Sequence, residues 1–239
     1  MASGDAPRFE ASDYDTATTG LRRITSRSRS PRPKPETSPY YGHAQDEWDA
    51  ITRQLLERHP LTATEVVAIV RDAWETIFLS SFGEGVLIGQ HIFPRPQIMG
   101  FLFHELIPFA LERAKPAEWR AERTAADKDV VCVADDSFSI EIKTSAHPRQ
   151  IFANRSYGQE TATEGKKAKS GYFLAVNFEP WPEIEVRPTP EQLRPALRLI
   201  RFGWLDHSDW IAQAAATGQQ SALAAVVENL QLLTLAREG

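Results

Sequence analysis

The run Gly171-Tyr-Phe-Leu-Ala-Val-Asn-Phe178 constrains the fold more than any other segment. Its side chains are apolar at odd and even positions alike, so as a strand it presents two hydrophobic faces. Such a strand is stable only inside a sheet covered on both sides. The neighbouring patterns supply the covers. From about Gln45, Trp48, Ile51, Leu55 and Leu56 recur at helical spacing until Pro60 stops the run. Thr62 or Thr64 caps a second helix whose apolar side carries Val66, Val67, Ile69, Val70, Trp74, Ile77 and Phe78. Gly83 and Gly85 mark a loop, and Pro94 and Pro96 precede a strongly apolar helix over about 97–113. Pro108 predicts a kink in that helix or its early end. Further strands are predicted over about 129–134, 137–145 and 197–204, and an amphipathic helix over 221–236. Helices before, between and after strands give an α/β fold with a central mixed β-sheet flanked by α-helices.

The chain has 239 residues, 42% of them hydrophobic, which allows one good-sized domain with a tail. Residues 1–38 are rich in Ser, Thr, Pro and Arg and poor in large aliphatic side chains, so they read as a flexible basic N-terminal tail. Arg22, Arg23, Arg27, Arg29, Arg32 and Lys34 follow one another without an intervening acid. That arm either touches phosphates or is a solvated extension. The globular domain is expected over 39–239. A net charge of −5 is compatible with nucleic-acid binding through a local basic cleft. The single cysteine, Cys132, excludes an internal disulfide framework and a cysteine-built zinc ribbon, and its apolar surroundings predict a buried thiol. No apolar run of ~18 residues exists, so no membrane span is expected. The N-terminus lacks a basic-then-apolar signal pattern, and a cytoplasmic location is the expectation.

Chemistry concentrates in Lys128-Asp-Val-Val-Cys-Val-Ala-Asp-Asp-Ser-Phe-Ser-Ile-Glu-Ile-Lys-Thr-Ser145. Two short strands surround a tight polar turn, with an acid opening the first and an acid-x-lysine on the second. Alternation places Glu141 and Lys143 on one strand face, about 7 Å apart along the strand. Alone, such a pair is most often a cross-strand ion pair. An acid at the mouth of the preceding strand changes its meaning. Two carboxylates can hold Mg²⁺, and an adjacent lysine can orient an attacking water at a phosphodiester. Asp129 and Glu141 are the candidate side-chain ligands, the Ile142 carbonyl a candidate third, and Lys143 the candidate catalytic lysine. Asp127, Asp135 and Asp136 compete with Asp129 for the first position. Asp135 and Asp136 suit turn chemistry, and Asp129, which abuts the apolar run, is preferred. Upstream, Glu105 sits in an almost wholly apolar helix, so its charge must be paired, exposed or metal-associated.

A polar segment follows the site. His147, Arg149, Gln150, Asn154, Arg155, Tyr157 and Gln159 crowd together ahead of Lys166, Lys167 and Lys169. Arg, Asn and Gln can read base edges, and Lys suits phosphates. The candidate DNA-binding residues are therefore Arg149, Gln150, Asn154, Arg155, Tyr157, Gln159 and Lys167. Asp206, His207 and Asp209 form a second polar group, read mainly as helix capping. No nucleophile elbow, P-loop or dinucleotide fingerprint occurs.

Several long segments resemble the ScaI-type restriction endonucleases of the PD-(D/E)xK superfamily. They are Phe93-Pro-Arg-Pro-Gln-Ile-Met-Gly-Phe-Leu-Phe-His-Glu-Leu-Ile-Pro108, Ser139-Ile-Glu-Ile-Lys-Thr-Ser145, Ile151-Phe-Ala-Asn-Arg-Ser-Tyr-Gly-Gln159, Lys169-Ser-Gly-Tyr-Phe-Leu-Ala-Val-Asn-Phe178 and Ile200-Arg-Phe-Gly-Trp-Leu-Asp-His-Ser-Asp-Trp210. The resemblance runs from about Ser38 to the C-terminus. It implies a restriction-endonuclease-like core and a type II enzyme. Such an enzyme is a homodimer that cuts a short palindrome in double-stranded DNA with Mg²⁺, alongside a companion DNA methyltransferase that protects the same site. It also implies that Asp129 and Glu141 are metal ligands, Lys143 the catalytic lysine and Glu105 an auxiliary acid. The target would be AGTACT if the family's type specificity carries over. One departure is that Lys128 stands where the motif has proline. The competing readings are a structure-directed repair nuclease and a DNA-binding module with a vestigial nuclease site.

Overall fold

A computed structural model describes residues 30–158, 168–182, 194–212 and 220–238. Along the chain the elements are α1 (Trp48–Arg58), α2 (Ala63–Leu79), β1 (Ser81–Phe82), β2 (Val86–Leu87), α3 (Pro96–Ala114), β3 (Trp119–Ala121), β4 (Val130–Cys132), β5 (Ile140–Ser145), β6 (Phe152–Asn154), β7 (Gly171–Phe178), β8 (Leu197–Leu205), β9 (Ile211–Ala212), β10 (Gln220–Ala222), α4 (Ala225–Leu230) and β11 (Leu232–Arg237).

Every residue of β7 is buried, as its two apolar faces require. It lies inside a six-stranded sheet of order β11-β8-β7-β5-β4-β3. The β5–β7 pair is parallel and the other pairs are antiparallel, so the sheet is mixed. One face packs against α2 and α3, with Ile140, Ile142, Leu174, Val176 and Phe202 meeting Val70, Ile77, Phe103 and Ile107. The other face carries Phe173, Ala175 and Leu205. These residues pack against Trp48 of α1, Val227 of α4, Ala153 of β6 and Trp210. A small sheet of order β6-β10-β9 completes this second layer. The expected α/β architecture with a helix-flanked mixed sheet is therefore the observed one.

Local chemistry sets the element ends. Thr62 caps α2 in a reciprocal box: its hydroxyl accepts the Glu65 N–H at 3.3 Å, and the Glu65 carboxylate accepts the Thr62 N–H at 2.8 Å. Pro96 opens α3, where a missing N–H is harmless. Of the kink or early end expected at Pro108, the early end does not occur: α3 runs through it to Ala114 with Pro108 buried. The turn before β5 uses its acids as expected. Asp135 Oδ1 accepts the Ser137 N–H at 2.9 Å, and Asp136 Oδ1 accepts the Ser139 hydroxyl at 2.7 Å. Cys132 is buried as a free thiol.

The helix expected over 221–236 is a correction. That segment divides into β10, the short α4 and β11. Leu232, Leu233 and Leu235 fit a strand as well as a helix, and the open edge of β8 decides between them. β11 pairs with β8 from Leu232↔Gly203 to Arg237↔Leu199. Gly203 makes the approach possible, because a Cβ there would lie 1.9 Å from the Gln231 carbonyl oxygen.

Lys34, read from the sequence as part of the basic tail, is fixed to the domain. Its ammonium donates to Asp209 at 2.6 Å, Asp206 at 3.1 Å and Gln231 at 3.0 Å. It also lies over the Tyr40 and Trp48 rings. Asp206 and Asp209 thus keep the expected capping role, Asp209 accepting the Asp206 N–H at 2.8 Å, and also form an ion-pair socket for Lys34. Arg22, Arg23, Arg27 and Arg29 lie outside the described residues. Burial pushes the Asp209 carboxyl up to about 6, against the pull of Lys34. Removing Lys34 raises it further. A raised carboxyl pKa means the folded chain holds more protons than the unfolded one, so stability falls as pH rises through the folded value. Lys34→Ala is therefore expected to destabilise the fold by about 3–5 kcal/mol at pH 8 and by less at pH 5. Urea unfolding at both pH values checks this. Equal deficits would mean that Lys34 acts through packing alone.

Candidate active site

The site is built on β5. Its alternation sends Ile140 and Ile142 into the core beneath α2 and α3 and leaves Glu141 and Lys143 on the opposite face. Glu141 is only 3% exposed, and its Oε1 lies 2.5 Å from the Lys143 ammonium. On β7, Phe173 and Ala175 stand in register with Glu141 and Lys143, giving the pair an apolar floor.

The strand before it is shorter than its sequence pattern suggests, and this opens the site. β4 and β5 share a single register pair, Val130↔Ile140. Beyond Ile140 the two strands part, and a side chain takes over the hydrogen bond that a ladder would have made. Asp129 Oδ2 accepts the Ile142 N–H at 2.6 Å. In a strand the N–H and C=O of one residue point to the same edge, so the Ile142 carbonyl opens to the same gap. Asp129 thus sits at the backbone link between Glu141 and Lys143, and the sequence-predicted group of Asp129, Glu141, Ile142 and Lys143 is brought together in space. The competing acids are used elsewhere. Asp127 takes the Arg120 guanidinium at 2.7 Å and the N–H groups of Arg123 and Thr124, and those donors hold its carboxyl below the usual range.

Lys128 turns its ammonium to the Ser170 carbonyl at 2.9 Å and over the Phe173 ring. It lies so close to Gly171 that a Cβ there would meet Nζ at 1.9 Å. From α3, His104 Nδ1 reaches within 3.4 Å of Asp129 Oδ2. Glu105 is exposed on the same helix, and no hydrogen bond or ion pair joins it to the group among the described residues. Sequence reasoning weighed Glu105 and passed over its neighbour, because a histidine within an apolar helix carries no distinctive pattern.

Tyr157 departs from its expected place among the base-reading residues. Its hydroxyl donates to Glu141 Oε1 at 2.5 Å and lies 3.4 Å from the Lys143 ammonium. That ammonium also sits over its ring, 4.7 Å from the centroid. Burial, reinforced by the Glu141 charge, pushes the phenol well above its ordinary range, so it remains a donor. The other expected DNA contacts divide. Arg149 and Asn154 are exposed, and Gln150 and Arg155 are half-buried. The Arg149 guanidinium meets the Asn229 side chain at 2.8 Å. Gln159 and Lys167 lie outside the described residues.

Buried polar groups hold this loop. Asn177 donates to the carbonyls of His147 and Gln150 at 2.8 and 3.0 Å. Arg201 donates to Asn177 Oδ1 at 2.9 Å and to the Arg149 carbonyl. Glu228 accepts the Ile151 N–H at 2.9 Å. The available sequence signal was Asn177 in the otherwise apolar β7 and Arg201 among the apolar residues of β8, since buried polar side chains need fixed partners.

The candidate ligands Asp129, Glu141 and the Ile142 carbonyl offer oxygens, which suits Mg²⁺ over softer metals, and His104 Nδ1 stands beside Asp129. Among the described residues no three His, Cys, Asp or Glu side chains gather as a metal site. A metal here would therefore use the two carboxylates with the backbone oxygen, and take the rest of its shell from water and phosphate.

The family described as ScaI restriction endonuclease matches residues 38–236. The type II restriction enzyme ScaI of Streptomyces caespitosus is 49% identical over 215 residues, covering 89% of this chain and 92% of that protein. No solved structure gives a significant match. A family match over most of the chain, together with a relative of this identity and coverage, shows that the chain belongs to the ScaI restriction endonuclease family.

Proposed function

We propose that this restriction endonuclease hydrolyses double-stranded DNA within a short palindrome, AGTACT, using Mg²⁺ at a PD-(D/E)xK site. The observation that carries the reading is the Asp129 carboxylate seated on the Ile142 N–H, between the acid and the lysine of β5. Asp129, Glu141 and the Ile142 carbonyl would hold the metal. Bound Mg²⁺ supplies charge neutralisation on the phosphate and a water acidic enough to attack. Lys143, anchored by Glu141, orients that water toward phosphorus and stabilises the charge that develops as one P–O ester bond breaks. Glu105 is the proposed auxiliary acid, one position from the histidine that faces Asp129.

Arg149, Gln150, Asn154 and Arg155 supply the side-chain types that discriminate guanine and adenine in the major groove. A palindrome calls for two identical readers related by a two-fold axis, so the working form is proposed to be a homodimer. A DNA methyltransferase with the same target would protect the host chromosome. No helix among the described residues is long and apolar enough to cross a membrane, and the proposed location is the cytoplasm, with the DNA.

The first test is incubation of the protein with mapped plasmid DNA, with Mg²⁺ and with EDTA. Mg²⁺-dependent fragments that all end at AGTACT are the expected result. Ends at another palindrome would overturn the target, and smearing would overturn site specificity. Lys143→Ala is expected to lower cleavage by about 10³-fold or more while DNA binding in EDTA stays measurable. Loss of both, with the fold intact, would assign Lys143 to binding. Asp129→Asn removes the charge but keeps an acceptor for the Ile142 N–H, whereas Asp129→Ala leaves that donor unsatisfied. Both should lose cleavage, and the Ala variant should be less stable than the Asn variant by about 1–3 kcal/mol in urea unfolding.

A further inference from the structure

We infer that Tyr157 is a positioning residue for this reaction, holding Glu141 and Lys143 in the mutual placement that metal and water require. The inference rests on the nuclease reading of the site. Glu141 and Lys143 are in direct contact, 2.5 Å apart at Oε1, so a metal that takes this carboxylate shares it with the ammonium, and the way the two are turned decides whether both can be used. Tyr157 acts on both partners. Its hydroxyl occupies Oε1 at 2.5 Å, which fixes how the carboxylate is turned. Its ring carries the ammonium at 4.7 Å from the centroid, a contact that holds the charge without a second hydrogen bond to Glu141.

Tyr157 is itself held firmly. Its ring meets that of the fully buried Trp210 edge-on, with centroids 5.6 Å apart. The turn Arg155–Gly158 is wedged against the small sheet. A Cβ at Gly158 would lie 2.8 Å from both the Ala212 nitrogen and the Trp210 carbonyl oxygen. The Ser221 hydroxyl donates to the Arg155 carbonyl at 3.3 Å. The turn that carries Arg155, a proposed DNA contact, therefore also sets the geometry of the acid–lysine pair.

Tyr157→Phe removes the hydroxyl and keeps the ring, and Tyr157→Leu removes both. Each is compared with wild type by calorimetric titration of the metal-free protein with Mg²⁺ and Mn²⁺, by cleavage of an AGTACT duplex across Mg²⁺ concentrations, and by thermal melting. Tyr157→Phe is expected to weaken metal binding about tenfold and to raise the Mg²⁺ midpoint of cleavage to match, as loss of a group that orients a metal ligand does. Tyr157→Leu is expected to lower the maximal rate by a further factor of about ten. DNA binding in EDTA should be unchanged in both. An unchanged metal isotherm and midpoint would overturn the inference, as would a lower melting temperature with no change in either. A wild-type protein that cuts no duplex would sink the nuclease reading instead, and the isotherms would still decide the role of Tyr157.

Discussion

The structure depends on the burial of β7 on both faces. A strand with no solvent-facing side must be paired at both edges and covered above and below. It takes β5 in parallel and β8 antiparallel. The parallel pairing fixes the register of β5, and hence which of its residues face α2 and α3 and which face the second layer. A slip of one residue would send Glu141 and Lys143 into the apolar layer that now holds Ile140 and Ile142. The burial of Phe173 and Ala175 opposite them thus helps specify the chemical face of the neighbouring strand.

A second constraint acts at the other edge of β5. Its ladder with β4 ends after one register pair, which leaves backbone groups in a nearly closed interior. Asp129 satisfies one of them. The same side chain is a proposed metal ligand, so the repair of a broken ladder and the assembly of the proposed metal-binding set would be one arrangement. The backbone N–H of Ile142 and the His104 ring both meet Asp129 at Oδ2, and together they fix the direction of the carboxylate.

The second layer does more than cover the sheet. Asn177 and Arg201 on the sheet and Glu228 of α4 pin the loop that follows β5, and Trp210 carries Tyr157 onto the acid–lysine pair. The loop proposed to contact DNA and the acid–lysine pair proposed for the chemistry therefore share one support. Lys34, Asp206 and Asp209 lock the start of the domain onto that layer, beneath Tyr40 and Trp48.

Sequence alone determined the features that follow from local periodicity. Alternation in Ile140–Lys143 put the acid and lysine on one face, continuous apolarity marked β7 as central, and Thr62 or Thr64 announced a helix that the structure caps with Thr62. The acid at 129 was preferred over its neighbours because it abuts the apolar run. Only the tertiary structure decided what depends on partners far apart in the chain. The strand at 232–237 exists because β8 had an open edge. Lys34 meets Asp209 across 175 positions. Tyr157 turns inward to Glu141 because Trp210 lies behind it. A side chain's polarity fixes what kind of partner it needs, whereas the packing of distant segments fixes which partner it finds.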